Sequence, residues 1–467
     1  MTKRLSYPVL QLTAPIAAMR QLVSDGTSRP LQWRLEQLDR LEAALSANSD
    51  AVLAALASDL GKPDVEAYFE VVAVRQEINL CRKRLRRWMA PKTVSVPVSQ
   101  RPGRAEVIAE PLGCVLIIGP WNYPFHLAIQ PLVSALAAGN TAILKPSEHA
   151  PATAQLISTL IAEAFPPEIV QVVQGDGSTA QALLAERFDH IFFTGGERIG
   201  KVVMAAAAQH LTPVTLELGG KSPAVVLSDA DLEVTSRRLV WGKCLNAGQT
   251  CIAPDYLLVE RSTREALVQA LGERITACFG EEPLHSSDLA SIVNAAQYQR
   301  LSGLLEQARE RGQILLGGSC DPERRRIAPT VIAVRDLEDP LMQEELFGPL
   351  LPVLEVDDVQ QAIQWINQRP KPLALYLFSR STQHQETVLR QTSSGGVCFN
   401  DVVMQVGVPE LPFGGVGASG MGAYHGQAGF DTFSHRRSVL RRPFALDLPF
   451  RYPPYAGRLP LMRRLLG

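Results

Sequence analysis

The chain has 467 residues, a formal net charge of −1, 46% hydrophobic residues and 20% charged residues. That length exceeds what one hydrophobic core fills, so two or more domains are expected. The near-neutral charge excludes a long-range field that would hold nucleic acid or an anionic membrane.

Most of the first ninety residues read as helices, with apolar positions at helical spacing through Leu38, Leu41 and Leu45 and again through Val52, Leu53 and Leu56. Lys3 and Arg4 precede a weakly apolar stretch, but Pro8, Gln11 and Pro15 interrupt it and exclude a signal peptide. The basic run Arg82 to Arg87 reads as the solvated end of a helix. Pro91 to Glu110 changes to β-branched residues and prolines and reads as an extended arm. From Gly113 short strands alternate with helices. Strands are expected at Val115 to Ile118, Thr141 to Leu144, Ile169 to Val173, Ile191 to Phe193 and Val214 to Leu216. Helices are expected over Phe125 to Ala138 and Ala154 to Phe165. The uncharged stretch Pro111 to Thr141 is broken by Gly119, Pro120, Asn122, Pro124 and Asn140, so it is no membrane span. Such alternation means a mostly parallel sheet covered on both faces, which binds nucleotides at its carboxyl ends.

A second alternation begins near Pro223. Its strands are Ala224 to Leu227, Leu257 to Val259, Ala374 to Phe378 and Val397 to Phe399, with helices from Arg264 and around Tyr298 to Arg311. No fixed-period repeat or low-complexity linker is present.

Gly415-Val-Gly417-Ala-Ser-Gly420 matches the dinucleotide pattern GxGxxG, but no strand precedes it and no βαβ unit follows, so it reads as a loop. The better phosphate candidate is Phe192-Phe193-Thr194-Gly195-Gly196-Glu-Arg-Ile-Gly200, which follows an apolar strand and opens a helix. Free N–H groups there would suit a pyrophosphate; a plain strand-to-helix turn is the alternative.

The seven cysteines, at 81, 114, 244, 251, 278, 320 and 398, are odd in number and contain no CxxC pair. That argues against a disulfide framework and a zinc site and fits a reducing, cytoplasmic compartment. A lone cysteine is ordinarily a small buried hydrophobe, the reading given to all but two; Cys244 could in principle be a redox partner of Cys251. Cys251 differs because it sits in a loop with Gly248 and Gln249.

Four segments resemble signatures of the aldehyde dehydrogenase superfamily, in that family's order and approximate spacing. They are Pro120-Trp121-Asn122-Tyr123-Pro124, Leu216-Glu217-Leu218-Gly219-Gly220-Lys221, Asn246-Ala247-Gly248-Gln249-Thr250-Cys251 and Glu344-Glu345-Leu346-Phe347-Gly348-Pro349. The stretches Pro412 to Gly426 and Phe430 to His435 resemble the class 3 branch, which takes fatty and aromatic aldehydes. The resemblance implies an α/β fold with a Rossmann-type cofactor domain (1–97 and 111–221), an α/β catalytic domain (222–406), a small β oligomerisation arm (98–110 and 430–443) and a tail (444–467). It implies a homodimer.

It further implies that Cys251 attacks the aldehyde and carries the acyl group as a thioester, with the Asn122 amide and the Cys251 N–H as oxyanion donors. Glu217 would activate the water that hydrolyses the thioester; relatives that transfer to coenzyme A generally lack this base. NAD or NADP would be held by Lys145 and Glu148 at the adenosine ribose, by Gly195, Gly196 and Gly200 at the phosphates, and by Trp121, Glu345 and Phe347 toward the nicotinamide. Glu148 would repel a 2′-phosphate, which tilts the choice toward NAD. From the residues alone, Asn122 could equally be a turn residue and Glu217 a strand-end carboxylate facing solvent. The tail has no membrane-spanning run; ordinary docking on the protein is expected of it, the alternative being packing over the substrate entrance with membrane-surface contact through Leu459, Leu461, Leu465 and nearby arginines.

Overall fold

A computed structural model describes residues 13–97, 100–445, 447 and 451–466. Residues 98 and 99, the expected start of the arm, lie outside the described residues.

Strands Cys114–Ile118 and Thr141–Lys145 are buried at every position. An unbroken apolar run of this kind is stable only where helices cover both faces of a parallel sheet. The sheet has the order Gly420–Met421, Val214–Glu217, His190–Thr194, Cys114–Ile118, Thr141–Lys145, Val170–Val172. Its five longer-range strands run parallel. The first of these in the chain, Cys114–Ile118, is central. The next two extend to one side and the following two to the other, the Rossmann arrangement, so the order reverses between Cys114–Ile118 and His190–Thr194. Crevices at such a reversal bind nucleotides beyond the strands' carboxyl ends. The N-terminal helices Leu31–Ala47, Ser49–Leu60 and Asp64–Met89 close one face through Leu38, Leu56, Val71, Val74 and Ile78.

The second sheet has seven strands in the order Ile314–Leu316, Thr330–Ala333, Leu350–Val356, Tyr256–Glu260, Pro223–Val226, Ala374–Phe378, Gly396–Phe399. All pair in parallel except Ile314–Leu316 at the edge. The strands Ile314–Leu316, Thr330–Ala333 and Leu350–Val356 and the helices Leu232–Cys244, Val359–Asn367 and Thr382–Gln391 escape the sequence reading. Leu350–Val356 contains Pro352, which argues against a central strand, yet it lies between two parallel partners. The helix Leu232–Cys244 has a mixed pattern; its start is fixed by Asp231, whose side chain accepts from the Val234 N–H.

The expected extended stretch over Pro91 to Glu110 forms the strands Lys92–Val94 and Arg104–Pro111, and Ser434–Arg441 adds antiparallel to the latter. This small sheet stands apart from the other two. The rejected GxGxxG loop has a definite place: Gly420 pairs opposite Glu217 and Met421 opposite Leu216. The tail ends in the helix Leu459–Leu466, where Leu459 and Leu461 are exposed rather than packed on the chain. No described helix is long and apolar enough to cross a membrane.

Candidate active site

The loop before Cys251 is conformationally expensive. Asn246 and Ala247 both adopt φ of 53°, and Gly248 follows at φ 75°. Left-handed backbone costs a non-glycine residue roughly 1–2 kcal/mol, so the surroundings must impose it. They do so through hydrogen bonds. Glu66 accepts from the Asn246 N–H at 2.8 Å, the Asn246 amide donates to Asn122 O at 2.8 Å, and the Gln249 amide donates to Ser291 O at 3.0 Å. At Gly248 a Cβ would lie 2.3 Å from Gly348 O. The close approach packs this loop on the Glu344 to Pro349 segment.

The other segments are tied in the same way. Lys221 pairs with Asp255 and donates to Leu341 O and Glu344 O, while Asp255 accepts from the Leu346 N–H at 3.0 Å. Tyr123 shares a 2.6 Å hydrogen bond with the Thr250 hydroxyl, and the Asn122 amide donates to Gln249 O at 3.1 Å. All four segments therefore line one cavity of about 1010 Å³. Asn122, Glu217, Cys251, Glu345 and Phe347 all face it.

Glu217 is only 2% exposed, and neither carboxylate oxygen has a hydrogen-bond partner among the described residues. Burial pushes its carboxyl well above the usual range. The solvent-facing alternative for this residue is excluded. Cys251 is half-buried at the cavity wall; burial first, then the carboxylates of Glu345 and Glu217, push its thiol up. Glu345 packs against Gly219, where a Cβ would fall 2.1 Å from its carboxylate. Burial and Asp255 raise Glu345 to about 8, against the opposing pull of the Gly220 N–H, Lys221 and Lys243.

At the sheet's reversal point, Gly195 and Gly196 border the cavity and Gly196 caps the helix Glu197–Ala208 with no side-chain hydrogen bond. Among the described residues, nothing lies within 4 Å of where a Gly196 Cβ would be, and the Thr194 hydroxyl is buried without a partner. Open space, a helix start with no side-chain cap and an orphaned hydroxyl suit a pyrophosphate. Gly200 serves packing instead, since its Cβ would meet Leu218 at 2.8 Å. Trp121 and Phe347 meet edge to face at 5.2 Å. Lys145 and Glu148 pair at 2.7 Å at the end of the adjacent strand but do not line the cavity.

The sequence reading singled out no role for His425. It lines the cavity with φ of 74° and an unpartnered Nε2. Burial, with His126 nearby, holds it down at about 3, so it is a neutral wall residue. Only its place in the Pro412 to Gly426 stretch hinted at it.

The aldehyde dehydrogenase family profile matches residues 11–439. The chain is 44% identical over 454 residues to "Aldehyde dehydrogenase family 3 member H1" of Arabidopsis thaliana, covering 97% of this chain and 94% of that one. It is 46% identical over 444 residues to "Aldehyde dehydrogenase, dimeric NADP-preferring" of Rattus norvegicus, covering 94% and 97%. Among solved structures it is similar to the "Substrate bound state of Staphylococcus Aureus AldH", with TM-score 0.94 and 41% identity over 98% of this chain and 99% of that one.

Proposed function

Because the chain belongs to the aldehyde dehydrogenase family and oxidises aldehydes to carboxylic acids with a nicotinamide cofactor, we propose that Cys251, Asn122 and Glu217 carry the reaction. The observation that carries the assignment is Glu217, a carboxylate buried without a partner on the same cavity as the half-buried thiol of Cys251.

The Cys251 thiol releases its proton to solvent, the sulfur adds to the aldehyde carbon, and the carbonyl oxygen becomes an alkoxide; the proton that Glu217 later takes from water is the one that restores the thiol. An aldehyde has no good hydride to give, whereas this tetrahedral adduct does. The Asn122 amide, exchanging Gln249 O for the alkoxide, and the Cys251 N–H stabilise the charge. The bound nicotinamide supplies the hydride acceptor. The thioester left on Cys251 is then attacked by water, whose proton Glu217 takes. Both of its oxygens are free of hydrogen-bond partners among the described residues, which leaves them open to take that proton. The acid departs and the thiol is restored.

The cofactor would be held by the helix start at Gly195 and Gly196, by Gly200 through the packing that sets that start, by Lys145 and Glu148 at the ribose, and by Trp121, Glu345 and Phe347 around the nicotinamide end. We assign NAD as the preferred cofactor with NADP accepted: Glu148 repels a 2′-phosphate while Lys145 partly offsets it. Medium- and long-chain aliphatic or aromatic aldehydes fit the cavity's apolar walls. The division into a cofactor domain (1–97, 111–221) and a catalytic domain (222–406), a homodimer joined through the small sheet, cytoplasmic residence, and membrane-surface contact by the tail helix belong to the same reading.

The test is an aldehyde panel with NAD and NADP, following reduced nicotinamide, on the wild type and Cys251→Ser. Retained turnover in the variant would overturn the assignment. Sedimentation checks the dimer, and liposome binding after truncation at Arg442 checks the tail.

A further inference from the structure

Three glutamates of the helix Asp64–Met89 fall on one face. Glu66, Glu70 and Glu77 are spaced by four and eleven residues, which at 100° per residue places them within about 40° of one another. Each reaches a different cavity loop. Glu66 accepts from Asn246 N–H, Glu70 from Phe125 N–H at 3.1 Å and His126 N–H at 2.9 Å, and Glu77 from Gly426 N–H at 2.8 Å.

Glu70 does more than its neighbours. Its second oxygen holds the Lys62 ammonium, and both side chains are fully shielded from water. Lys62 donates to Asn122 O at 2.9 Å and lies 3.9 Å from the centre of the Tyr123 ring. A buried ion pair is weak support for stability, since apolar residues of the same volume often do as well. What this pair achieves is geometric. It grips the chain at Asn122 and just after it, through the Asn122 carbonyl and through the amides of Phe125 and His126. The Asn122 backbone is fixed, and its side-chain amide is left with one exchangeable contact, to Gln249 O.

We propose that the Lys62–Glu70 pair is a positioning device for the Asn122 amide, making these two residues determinants of rate although neither serves as a donor to the alkoxide. The proposal rests on Asn122 as the oxyanion donor, as assigned above. Removing one such donor costs on the order of 10²–10³ in rate, and a misplacement of about 1 Å costs up to about 10².

Four proteins test it, with benzaldehyde and NAD: the wild type, Asn122→Ala, Lys62→Met and the double variant. Lys62→Met is expected to lower kcat and kcat/KM together by about 10–100-fold, with the NAD dissociation constant unchanged. In the Asn122→Ala background the same change should cost less than about threefold, because the amide it positions is gone. A purely structural role would reduce activity equally in both backgrounds, and that result overturns the proposal. A loss below about tenfold in Asn122→Ala alone would instead show that Asn122 is not the donor, and the proposal falls with it. If Lys62→Met, with its unpaired Glu70, melts below the assay temperature, Lys62→Met/Glu70→Leu leaves no buried charge and is read by the same criteria.

Discussion

Glu345 offers the sharpest pH test of the cofactor end of the site. Its carboxyl is raised to about 8, chiefly by burial and by Asp255. At pH 6.5 only about 3% is ionised, and at pH 9.5 about 97%, from the definition of the pKa. A carboxylate that accepts from ribose hydroxyls binds better ionised than protonated. A hydrogen bond to a charged group contributes about 1.5–3 kcal/mol against about 0.5–1.5 for a neutral one, so the difference of roughly 1.4 kcal/mol is about tenfold in affinity. The sign is fixed: binding favours the form present above the pKa, so NAD affinity rises as pH rises through about 8. Fluorescence titration of NAD from pH 6.5 to 9.5 should give that tenfold gain in the wild type and a flat profile in Glu345→Gln. The variant also loses a carboxylate that raises Cys251, so its alkylation by iodoacetamide should move to lower pH. A flat wild-type profile, or a variant that follows the wild type, would refute the reasoning.

Glu217→Gln should leave a first turnover of reduced nicotinamide but slow steady-state oxidation by about 10²–10⁴-fold, with the acyl group found on the Cys251 peptide by mass spectrometry. Steady-state turnover within threefold of wild type would exclude Glu217 as the base. Gly219→Ala must displace Glu345, 2.1 Å from the new Cβ, and is expected to weaken NAD binding; Gly303→Ala, at an exposed position of the helix Ala295–Glu310 with nothing within 4 Å, should stabilise that helix by about 1 kcal/mol. Asp59 receives the Ala152 and Thr153 N–H groups and the Thr153 hydroxyl, capping the helix Pro151–Ala164 from a distant segment. Asp59→Ala should cost about 1–3 kcal/mol in urea unfolding, with kcat unchanged.

The sheets were legible because burial on both faces writes an uninterrupted apolar run, as in Val115 to Ile118. Leu350–Val356 was lost because Pro352 breaks that rule in a central strand; it pairs there with Ile332 on one side, while the register with Tyr256–Glu260 begins only at Val353. The place of Gly420–Met421 was lost for another reason. A glycine and one methionine are too short a strand to carry a periodic signal, yet they pair with the strand that ends in Glu217. The chemical segments were legible as motifs, but their environments were not. Glu217 lines the cavity from a strand whose edge is covered by residues two hundred positions later, and no local pattern signals that.

The helix Asp64–Met89 shows why the second layer of the site stays hidden. The sequence reading assigns nothing to Glu66, Glu70 or Glu77, since carboxylates on one helix face are ordinarily solvated. The structure turns this face inward, where Glu70 and Glu77 are each 1% exposed. Their partners are backbone N–H groups 55 to 349 residues away, and a main-chain donor has no side-chain identity to signal it. Burial of carboxylates is costly unless such donors meet them. Glu77, raised to about 7 by burial despite its bond to Gly426, shows that the compensation is incomplete. Its folded value exceeds the ordinary 4.5, so folding favours the protonated form and its stabilisation is lost as pH rises through about 7. The same cost explains the arrangement. A helix that merely covered the sheet would carry leucines here. One that must hold three loops in register around a reacting sulfur needs acceptors at fixed heights, and carboxylates four and seven residues apart on a rigid rod provide them.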